Sequence, residues 1–379
     1  MKIAFIIQGE GRGHLTQAIS MAQILRSNGH TISEVLVGVN KHTDLPEFFT
    51  DRFPKAKPFL SPYLIFDKKT NKLRVRKTLR KNCTKVRHYI KSIRYIHRQV
   101  KANTPDLIIN FYEGLGGIYN FFYNHRNIPI IAVAHQYLLL NPNFDHPKGF
   151  WLHRTLVNLN SNLTAIGADK RLALSFTPFP DVFQKQLFTV PPLLRQEVLN
   201  AGSDVNKEDF LLAYVNQPSL TKEIMAWHDQ NQEVRIHCFT PKIPTEEYTN
   251  PNLTFHKLDA TLFLSFMKRC RGVVTTAGFE TVCEAMYFQK PVLMIPLKNH
   301  YEQRCNALDA VRAKAGITQS DFNLSRFWDF ALNEFVPDSS FKHWANSAEE
   351  MILEEVEEFE PKEVQTYEAK FGNVNLGRL

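Results

Sequence analysis

The chain has 379 residues, of which 44% are hydrophobic and 22% are charged, a composition that excludes intrinsic disorder and collagen-like structure and leaves room for more than one domain. The formal net charge is +8, but the basic excess is confined to the first part of the chain. Residues 1–200 contain 28 Lys or Arg and 12 Asp or Glu, whereas the remainder contains 18 and 26. This split indicates two domains, of which the first faces an anionic partner.

The cysteines and the apolar runs indicate the compartment. Five cysteines lie far apart and form no Cys-x-x-Cys pair, which argues against a disulfide framework or a zinc site and is typical of a reducing compartment. The first apolar run is too short for a signal peptide, and no run reaches the roughly 18 apolar residues of a membrane span. We therefore expect a cytoplasmic protein that touches a membrane, if at all, peripherally.

Short apolar runs alternate with helical patterns along the whole chain, as in parallel sheets joined by crossover helices. In the first part, the pattern predicts strands at 3–7, 32–39, 107–111, 128–134 and 163–166. In the second part, it predicts strands at 210–215, 234–239, 253–255, 272–275 and 292–295. We therefore predict an α/β fold of two Rossmann-like, doubly wound domains.

A Pro-rich stretch separates the two sets of strands and is typical of a stiff linker near 190–200. The predicted domains are residues 1–190 and 191–379. Eight Glu between Glu349 and Glu363, against one Lys, mark a final helix. This helix either exposes a solvated charged face or packs back on the first domain.

A glycine-rich loop follows the first strand directly and precedes a helix. Its sequence, QGEGRGH, contains Gly9, Glu10, Gly11 and Gly13. Backbone NH groups at such a loop form a site for an anion or a polar ligand, although a loop that only joins strand to helix is the alternative. A nicotinamide site would need the third glycine one place later and an acidic residue after the second strand, so the dehydrogenase hypothesis is disfavoured.

Three side chains follow strands of the first domain and are candidates for a general base. His14 begins the first helix at the carboxyl edge of the sheet, where such folds bind ligands, and its ordinary pKa near ~6.5 suits proton transfer at neutral pH. Glu113 and His135 open on the same cleft and compete for the role. Glu113 could instead orient His14, and each of these residues could have a purely structural role.

The stretch from the strand at 272–275 onward carries a second set of polar residues. The strand runs into Thr276 and Gly278, and a helix follows whose first-turn NH groups could hold a phosphate. Glu284 lies about one and a half turns into that helix, and its carboxylate could accept hydrogen bonds from two sugar hydroxyls. After the next strand, a loop carries Asn299, His300, Glu302 and Gln303. Their joint position beyond a strand end favours ligand binding.

Residues 68–101 contain 14 Lys or Arg and no acidic residue. Apolar residues at helical spacing predict one basic amphipathic helix here. Its basic side chains could bind anionic lipid head groups at about 1 kcal/mol each; those expected at the membrane surface are Arg76, Lys77, Arg80, Lys81, Arg87, Lys91 and Arg94. A core-packed helix with a solvated basic face is the alternative, and nucleic acid is the weakest option because no nucleic-acid motif accompanies the charge.

Three segments carry a resemblance to a known family: the GEGRGH loop, AGFETVCEAMYFQKPVLMIP and NHYEQRCNA. They resemble the glycosyltransferase-B fold, and within it the family 28 glycosyltransferases, which include an N-acetylglucosaminyltransferase that acts on a lipid-linked acceptor. The resemblance implies that the glycine-rich loop faces the acceptor and that the second domain binds a nucleotide-sugar donor. One departure is Asn216-Gln217-Pro218-Ser219, where family members often have a glycine-rich loop.

The resemblance also implies roles for individual residues. Glu284 resembles the glutamate that holds the ribose hydroxyls, and Gly278 resembles part of the diphosphate loop. Glu302 and Gln303 resemble the pair that contacts the donor sugar, and His300 resembles a histidine near the donor. No Asp-x-Asp is present, so we expect neither a metal nor a separate cofactor.

The expected function is therefore transfer of a sugar from a nucleotide-diphosphate donor to a hydroxyl acceptor, with inversion and without a metal. UDP-GlcNAc or a UDP-hexose is the favoured donor, a lipid-linked glycan is one candidate acceptor, and synthesis of cell-envelope polysaccharide is the expected context. Two alternatives stay open. The first is a non-hydrolysing sugar-nucleotide 2-epimerase, and the second is a non-catalytic basic protein that binds a membrane or polyanion.

Overall fold

The computed structural model describes residues 1–40, 45–63, 65, 74–124, 127–201, 208–215, 217–244, 248 and 250–360. Across these residues the chain forms one seven-stranded and one six-stranded sheet, each with helices packed on it. All described strand pairs in both sheets are parallel. The predicted fold class, two Rossmann-like α/β domains, is confirmed.

The first sheet has the order β3-β2-β1-β4-β5-β6-β7. Its strands are β1 (Lys2–Gln8), β2 (Thr31–Val39), β3 (Lys57–Leu60), β4 (Leu107–Phe111), β5 (Ile130–Ala134), β6 (Lys170–Leu174) and β7 (Leu187–Val190). The central strands are apolar on both faces because helices cover both faces. The helices are α1 (Gly13–Ser27), α2 (Glu47–Thr50), α3 (Val75–Cys83), α4 (Val86–Asn103), α5 (Gly114–Tyr123) and α6 (Trp151–Thr164), with 3₁₀ turns at His135–Leu140 and Phe183–Lys185.

The second sheet has the order β10-β9-β8-β11-β12-β13. Its strands are β8 (Leu211–Tyr214), β9 (Ile236–Phe239), β10 (Leu253–His256), β11 (Gly272–Thr275), β12 (Val292–Met294) and β13 (Gly316–Thr318). The helices are α7 (Gln196–Leu199), α8 (Pro218–His228), α9 (Ala260–Arg269), α10 (Phe279–Tyr287), α11 (Tyr301–Arg312), α12 (Ser325–Asp329), α13 (Ser340–Asn346) and α14 (Ala348–Glu357), with a π turn at Phe330–Glu334.

One predicted strand is wrong. Residues 163–166 form the end of α6 and the turn after it, and the strand of this region is β6, which begins only at Lys170. Hydrogen bonds to β4 and to the 3₁₀ turn after β5 hold the end of the helix, because Asn110 Nδ2 donates to the Thr164 carbonyl at 2.7 Å and the Tyr137 hydroxyl lies 2.8 Å from Thr164 Oγ1. These tertiary contacts override a short apolar run that has no periodicity of its own.

The basic segment forms two helices rather than the single one predicted. Helix α3 ends at Cys83 and α4 begins at Val86, while residues 68–73 lie outside the described residues. The predicted apolar face is also wrong in its first half, since Cys83, Val86 and Ile90 are exposed. Helix α4 packs on β2 and β3 through a face that includes Tyr89, Ile93, Ile96 and Val100. Among the described residues, no helix has the length and apolar character to cross a membrane.

The last described helix, α14, contacts the first domain. Lys170 Nζ donates to Glu355 Oε2 at 2.5 Å and lies 2.8 Å from Glu358 Oε2, which ties α14 to β6. The Trp344 indole NH donates to the Ser175 carbonyl at 3.0 Å. Lys170 thus gives the Glu-rich helix a basic partner, so its face is not fully solvated, and the Trp344 contact holds the preceding helix α13 to the same domain.

Candidate active site

The loops at the carboxyl ends of β1 and β11 meet between the two sheets. Gln17 Nε2, on α1, donates to Glu280 Oε1, on α10, at 2.7 Å. A Cβ atom at Gly13 would lie 3.8 Å from Glu280 Cγ. The first helix of one domain therefore contacts the helix of the other domain that carries the second set of polar residues.

His14 is the second residue of α1 and is buried at this meeting point. Its Nδ1 lies 3.1 Å from Gln17 Oε1, and its ring stacks on Tyr112 with 5.5 Å between centroids. Burial lowers the pKa of His14 to about 4, so the imidazole is neutral at pH 7 and can accept a proton. If Nδ1 carries the hydrogen that Gln17 accepts, the lone pair of the base is on Nε2.

Glu113 lies at the start of α5 and has partners other than His14. Its Oε1 accepts hydrogen bonds from Ser61 Oγ at 2.6 Å and from the Leu115 NH at 3.1 Å. A Cβ atom at Gly38 would lie 2.1 Å from Glu113 Oε2, so the carboxyl group requires glycine there. Burial raises the pKa of Glu113 to about 7. The described partner of His14 Nδ1 is Gln17, and the described partners of the Glu113 carboxyl group are Ser61 and Leu115.

His135 lies between the domains, and both of its ring nitrogens face oxygen atoms. Nδ1 is 2.7 Å from the Leu174 carbonyl, and Nε2 is 3.0 Å from Asn306 Oδ1. The ring stacks on Phe279 with 3.9 Å between centroids. Burial lowers the pKa of His135 to about 4. These contacts pack His135 into the domain boundary.

The N-terminus of α10 is exposed, with open space beside it. Thr276 is buried at the end of β11, and Ala277 has a φ of 62°, in the left-handed region. Gly278 is the N-cap of α10 and is exposed, and a Cβ atom there would meet nothing within 4 Å. The first-turn NH groups of this nine-residue helix can therefore be approached by an anionic group.

Glu284 is buried on α10 and pairs with a residue that the sequence did not indicate. Its Oε1 accepts a hydrogen bond from Arg195 Nε at 2.6 Å. Arg195 is the N-cap of α7, in the segment that joins the two sheets. Burial raises the pKa of Glu284, and the guanidinium of Arg195 opposes that rise. The pair orients the carboxyl group and favours its charged form.

The three predicted donor-binding residues after β12 have different hydrogen-bond partners. His300 is the N-cap of α11, and its Nδ1 accepts from the Gln303 NH at 3.4 Å. Gln303 is buried, and its Oε1 accepts from the Leu297 NH at 2.9 Å, so its side chain fixes the loop. Glu302 faces the first domain, where its Oε1 accepts from Gln136 Nε2 at 3.1 Å.

Sequence patterns did not indicate four residues that contact the predicted ones or each other: Gln17, Glu280, Arg195 and Gln136. Gln17 lies three residues after His14, on the same helical face, and this spacing could have identified it. Glu280 lies two residues after Gly278, within the segment that carries the family resemblance, but the resemblance implied no role for it. Burial, and then the nearby Glu284, raise the pKa of Glu280 to about 8. Among the residues that the structure describes, no group of three or more His, Cys, Asp or Glu is arranged to hold a metal ion.

Comparison with known proteins gives matches over most of the chain. A family model described as Glycosyl transferase family 1 matches residues 1–335. An uncharacterized glycosyltransferase of Methanosarcina mazei is 20% identical over 330 residues, which cover 81% of this chain and 83% of that protein.

Two solved structures share the fold. The glycotransferase of kitacinnamycin has a TM-score of 0.64 at 14% identity, and the match covers 95% of this chain and 99% of that one. UGT2 of Phytolacca americana, solved with UDP-2-fluoro-glucose and pterostilbene, has a TM-score of 0.63 at 11% identity, with 95% and 100% covered. The arrangement of the two Rossmann-like domains is that of the glycosyltransferase-B fold.

Proposed function

The chain belongs to glycosyl transferase family 1 and is a glycosyltransferase, and from this premise we propose that it transfers a sugar from a UDP-linked donor to a hydroxyl group of an acceptor. The observation that carries the proposal is the start of α10, where an exposed glycine opens the helix and a buried carboxyl group, on Glu284, follows within two turns. UDP is favoured because the Phytolacca protein of the same fold was solved with a UDP-sugar. GlcNAc and hexoses are the proposed sugars.

The proposed donor site lies on the second domain. The diphosphate binds at the first-turn NH groups of α10 beside Gly278, where it benefits from the positive end of the helix dipole. Glu284, held by Arg195, accepts hydrogen bonds from the ribose hydroxyls. Glu302 contacts the donor sugar from the loop that Gln303 fixes to Leu297. In this arrangement the protein itself stabilises the departing diphosphate, so no metal is required for that step.

The proposed reaction is a single displacement at the anomeric carbon. The acceptor binds beside the glycine-rich loop of the first domain, and its hydroxyl oxygen attacks the carbon while the bond to the diphosphate breaks. His14 Nε2 takes the hydroxyl proton, for which its neutral state and its position at the domain boundary suit it. Attack from the face opposite the leaving group inverts the configuration.

We propose that the acceptor is lipid-linked and that the first domain meets an anionic membrane, at the cytoplasmic face. Helices α4, α5 and α6 pack side by side in one layer, which exposes large apolar side chains next to the basic residues of α3 and α4. The exposed apolar residues are Val86, Ile90, Phe121, Phe122, Trp151, Leu152, Leu159 and Leu163. Exposed apolar and basic side chains together fit a bilayer interface.

This surface reaches the proposed cleft. Phe150, directly before α6, lies 6.1 Å from Tyr301 between ring centroids, and the Arg304 guanidinium lies 5.1 Å from the Phe150 ring. Tyr301 and Arg304 belong to α11, which follows the donor loop. A lipid-linked acceptor held in the membrane would therefore approach the cleft from the α6 side.

The test is a transfer assay with UDP-GlcNAc, UDP-glucose and UDP-galactose, EDTA present, and detergent-solubilised lipid-linked glycans or simple alcohols as acceptors. We expect acceptor-dependent release of UDP and a product of inverted configuration, both lost in His14→Ala. An epimerase would convert the UDP-sugar to its 2-epimer without an acceptor. Binding to membranes with neither reaction would instead support a non-catalytic protein.

A further inference from the structure

Three side chains form a continuous chain of hydrogen bonds across the domain boundary. His14 and Gln17 lie on one face of α1, and His14 Nδ1 is 3.1 Å from Gln17 Oε1. Gln17 Nε2 then donates to Glu280 Oε1 at 2.7 Å. His14 and Gln17 are both buried, so water does not compete freely for these bonds. One carboxyl group of the second domain is thus connected to the proposed base of the first.

The direction of these bonds follows from the chemistry of the three groups. An ionised carboxylate only accepts hydrogen bonds, so it requires the Gln17 amide to present its NH₂ group. The amide oxygen then faces His14 Nδ1, which must donate. The hydrogen of the neutral imidazole therefore lies on Nδ1, and Nε2 keeps the lone pair that a base needs. A flipped amide would place the hydrogen on Nε2 and block proton acceptance there.

We propose that Glu280 is a positioning residue, which acts through Gln17 to fix the tautomer of His14 from the opposite domain. The inference rests on the proposed role of His14 as the base. Glu280 lies two residues after Gly278, so the helix that receives the donor also sets the proton-accepting atom on the acceptor side. His14 is then held in the proton-accepting tautomer while α10 is seated against α1.

The groups around Glu280 determine its pKa, and hence the pH range in which its carboxylate orients the Gln17 amide. The titratable or charged groups around it are Glu284 and Cys283 on α10, Arg195 before α7, and His14 on α1. Because burial and Glu284 raise the pKa of Glu280 to about 8, the carboxylate form dominates only above that pH. The tautomer is therefore best measured near pH 9, where His14 is also neutral.

The test is ¹⁵N NMR of the full chain with labelled histidine at pH 9 and without substrate, the His14 signal being assigned by its loss in His14→Gln. We expect a pyrrole-type Nδ1 and a pyridine-type Nε2 in the wild type. Glu280→Ala and Gln17→Leu should each give a mixture of tautomers and lower kcat by about 10- to 100-fold, within the range of general-base effects. The double variant should be no worse than either single one, because both changes remove the same interaction.

Two further variants separate positioning from a general structural effect. Glu280→Gln preserves the shape of the side chain but presents an amide that can accept from or donate to Gln17, so it should give a mixture of tautomers although the packing is kept. Glu349→Ala removes another hydrogen bond from a distant segment to α1, the bond from Asn28 Nδ2 at 2.9 Å, and should leave the His14 signal unchanged. An unchanged His14 tautomer in Glu280→Ala would overturn the proposal. A changed tautomer with unchanged kcat would support positioning by Glu280 and reject His14 as the base.

Discussion

Arg195 and Glu284 form a close charge pair, in which Arg195 Nε donates to Glu284 Oε1 at 2.6 Å. Arg195 comes from the segment that joins the two sheets, and Glu284 comes from the helix that opens with Gly278. The predicted stiff linker is thus packed against the second domain, and Leu193 and Leu194 within it are buried. The pair holds the Glu284 carboxyl group at the position proposed for the ribose of the donor.

Glu284→Ala should weaken donor binding. The charged carboxylate is proposed to accept hydrogen bonds from ribose hydroxyls, and hydrogen bonds to a charged group contribute about 1.5 to 3 kcal/mol. Isothermal titration calorimetry with UDP measures the loss, which corresponds to about 10- to 150-fold in affinity. Glu350→Ala, an exposed change on α14, serves as the control. Equal affinities of the wild type and Glu284→Ala would remove Glu284 from the site.

Gly278→Ala should leave the fold intact and impair ligand binding. The added Cβ atom meets no protein atom within 4 Å, and the backbone φ of −70° suits alanine. It would, however, occupy the space through which a diphosphate reaches the α10 NH groups, at an overpacking cost of about 1 to 3 kcal/mol. We expect an almost unchanged melting temperature and a UDP affinity lower by about tenfold or more. Undiminished UDP affinity would place the diphosphate elsewhere.

Gly38→Ala is the matched comparison for that variant. Its Cβ atom would lie 2.1 Å from Glu113 Oε2, and within 3.0 Å of Ser61 Cβ. We therefore expect a lower melting temperature for Gly38→Ala by differential scanning calorimetry. The contrast between the two glycines distinguishes space reserved for a ligand from space filled by the protein.

His14→Ala should lower turnover by about 10² to 10⁴-fold, the usual range for loss of a general base. Affinity for UDP should hardly change, because His14 belongs to the domain that is proposed to bind the acceptor. Steady-state kinetics together with calorimetry distinguish the two effects. His343→Ala, an exposed change on α13, should alter neither quantity. If turnover survived in His14→Ala, Glu113 and His135 would become the candidates for the base.

Glu113→Gln should change how stability depends on pH. Burial raises the pKa of Glu113 from 4.5 to about 7 in the folded protein, so the folded state favours the protonated carboxyl group. The corresponding stabilisation is fully present below the unfolded pKa and is lost as the pH rises through 7, a change of roughly 3 kcal/mol. Glutamine does not titrate, so urea unfolding should show this loss between pH 4.5 and 8 in the wild type relative to the variant. Parallel curves would show that Glu113 does not titrate as expected.

The basic and apolar surface of α4, α5 and α6 should bind anionic membranes. Changing Arg87, Lys91 and Arg94 together to Glu should lower binding to phosphatidylglycerol vesicles by about 10²-fold or more, at roughly 1 kcal/mol for each basic side chain lost. Trp151→Ser should weaken the remaining membrane binding, which comes from apolar contacts and is insensitive to salt. Co-sedimentation with phosphatidylcholine vesicles and the Arg326→Glu variant, on α12, serve as controls. Equal sedimentation of the wild type and the triple variant would reject this surface as the membrane contact.

Much of the fold was predictable because it is encoded in local patterns. Buried strands such as β4 and β11 are short, mostly apolar segments whose predicted bounds match the structure. The short strands β3, β6, β7 and β13 were missed, since three to five residues leave little periodic signal and β6 carries Lys170 and Arg171. The break between α3 and α4 was missed because no Pro or Gly marks it.

The sequence indicated individual candidate residues of the site but not the contacts among them. Motif positions after strands made His14, Gly278 and Glu284 candidates. Their partners depend on contacts between distant parts of the chain, since Gln17 and Glu280 are 263 residues apart. Local sequence carries no information about such a pair until the two sheets are packed together.

The most direct test of the central claim is calorimetric titration of the wild-type chain with UDP and with the diphosphates of thymidine, guanosine and adenosine, each with EDTA and with Mg²⁺. A donor site built from the start of α10, Glu284 and Arg195 should bind UDP in preference to the purine nucleotides, with the same affinity in EDTA and in Mg²⁺, and more weakly in Glu284→Ala. Absence of binding by all four nucleotides would show that the start of α10, Glu284 and Arg195 do not form a nucleotide site.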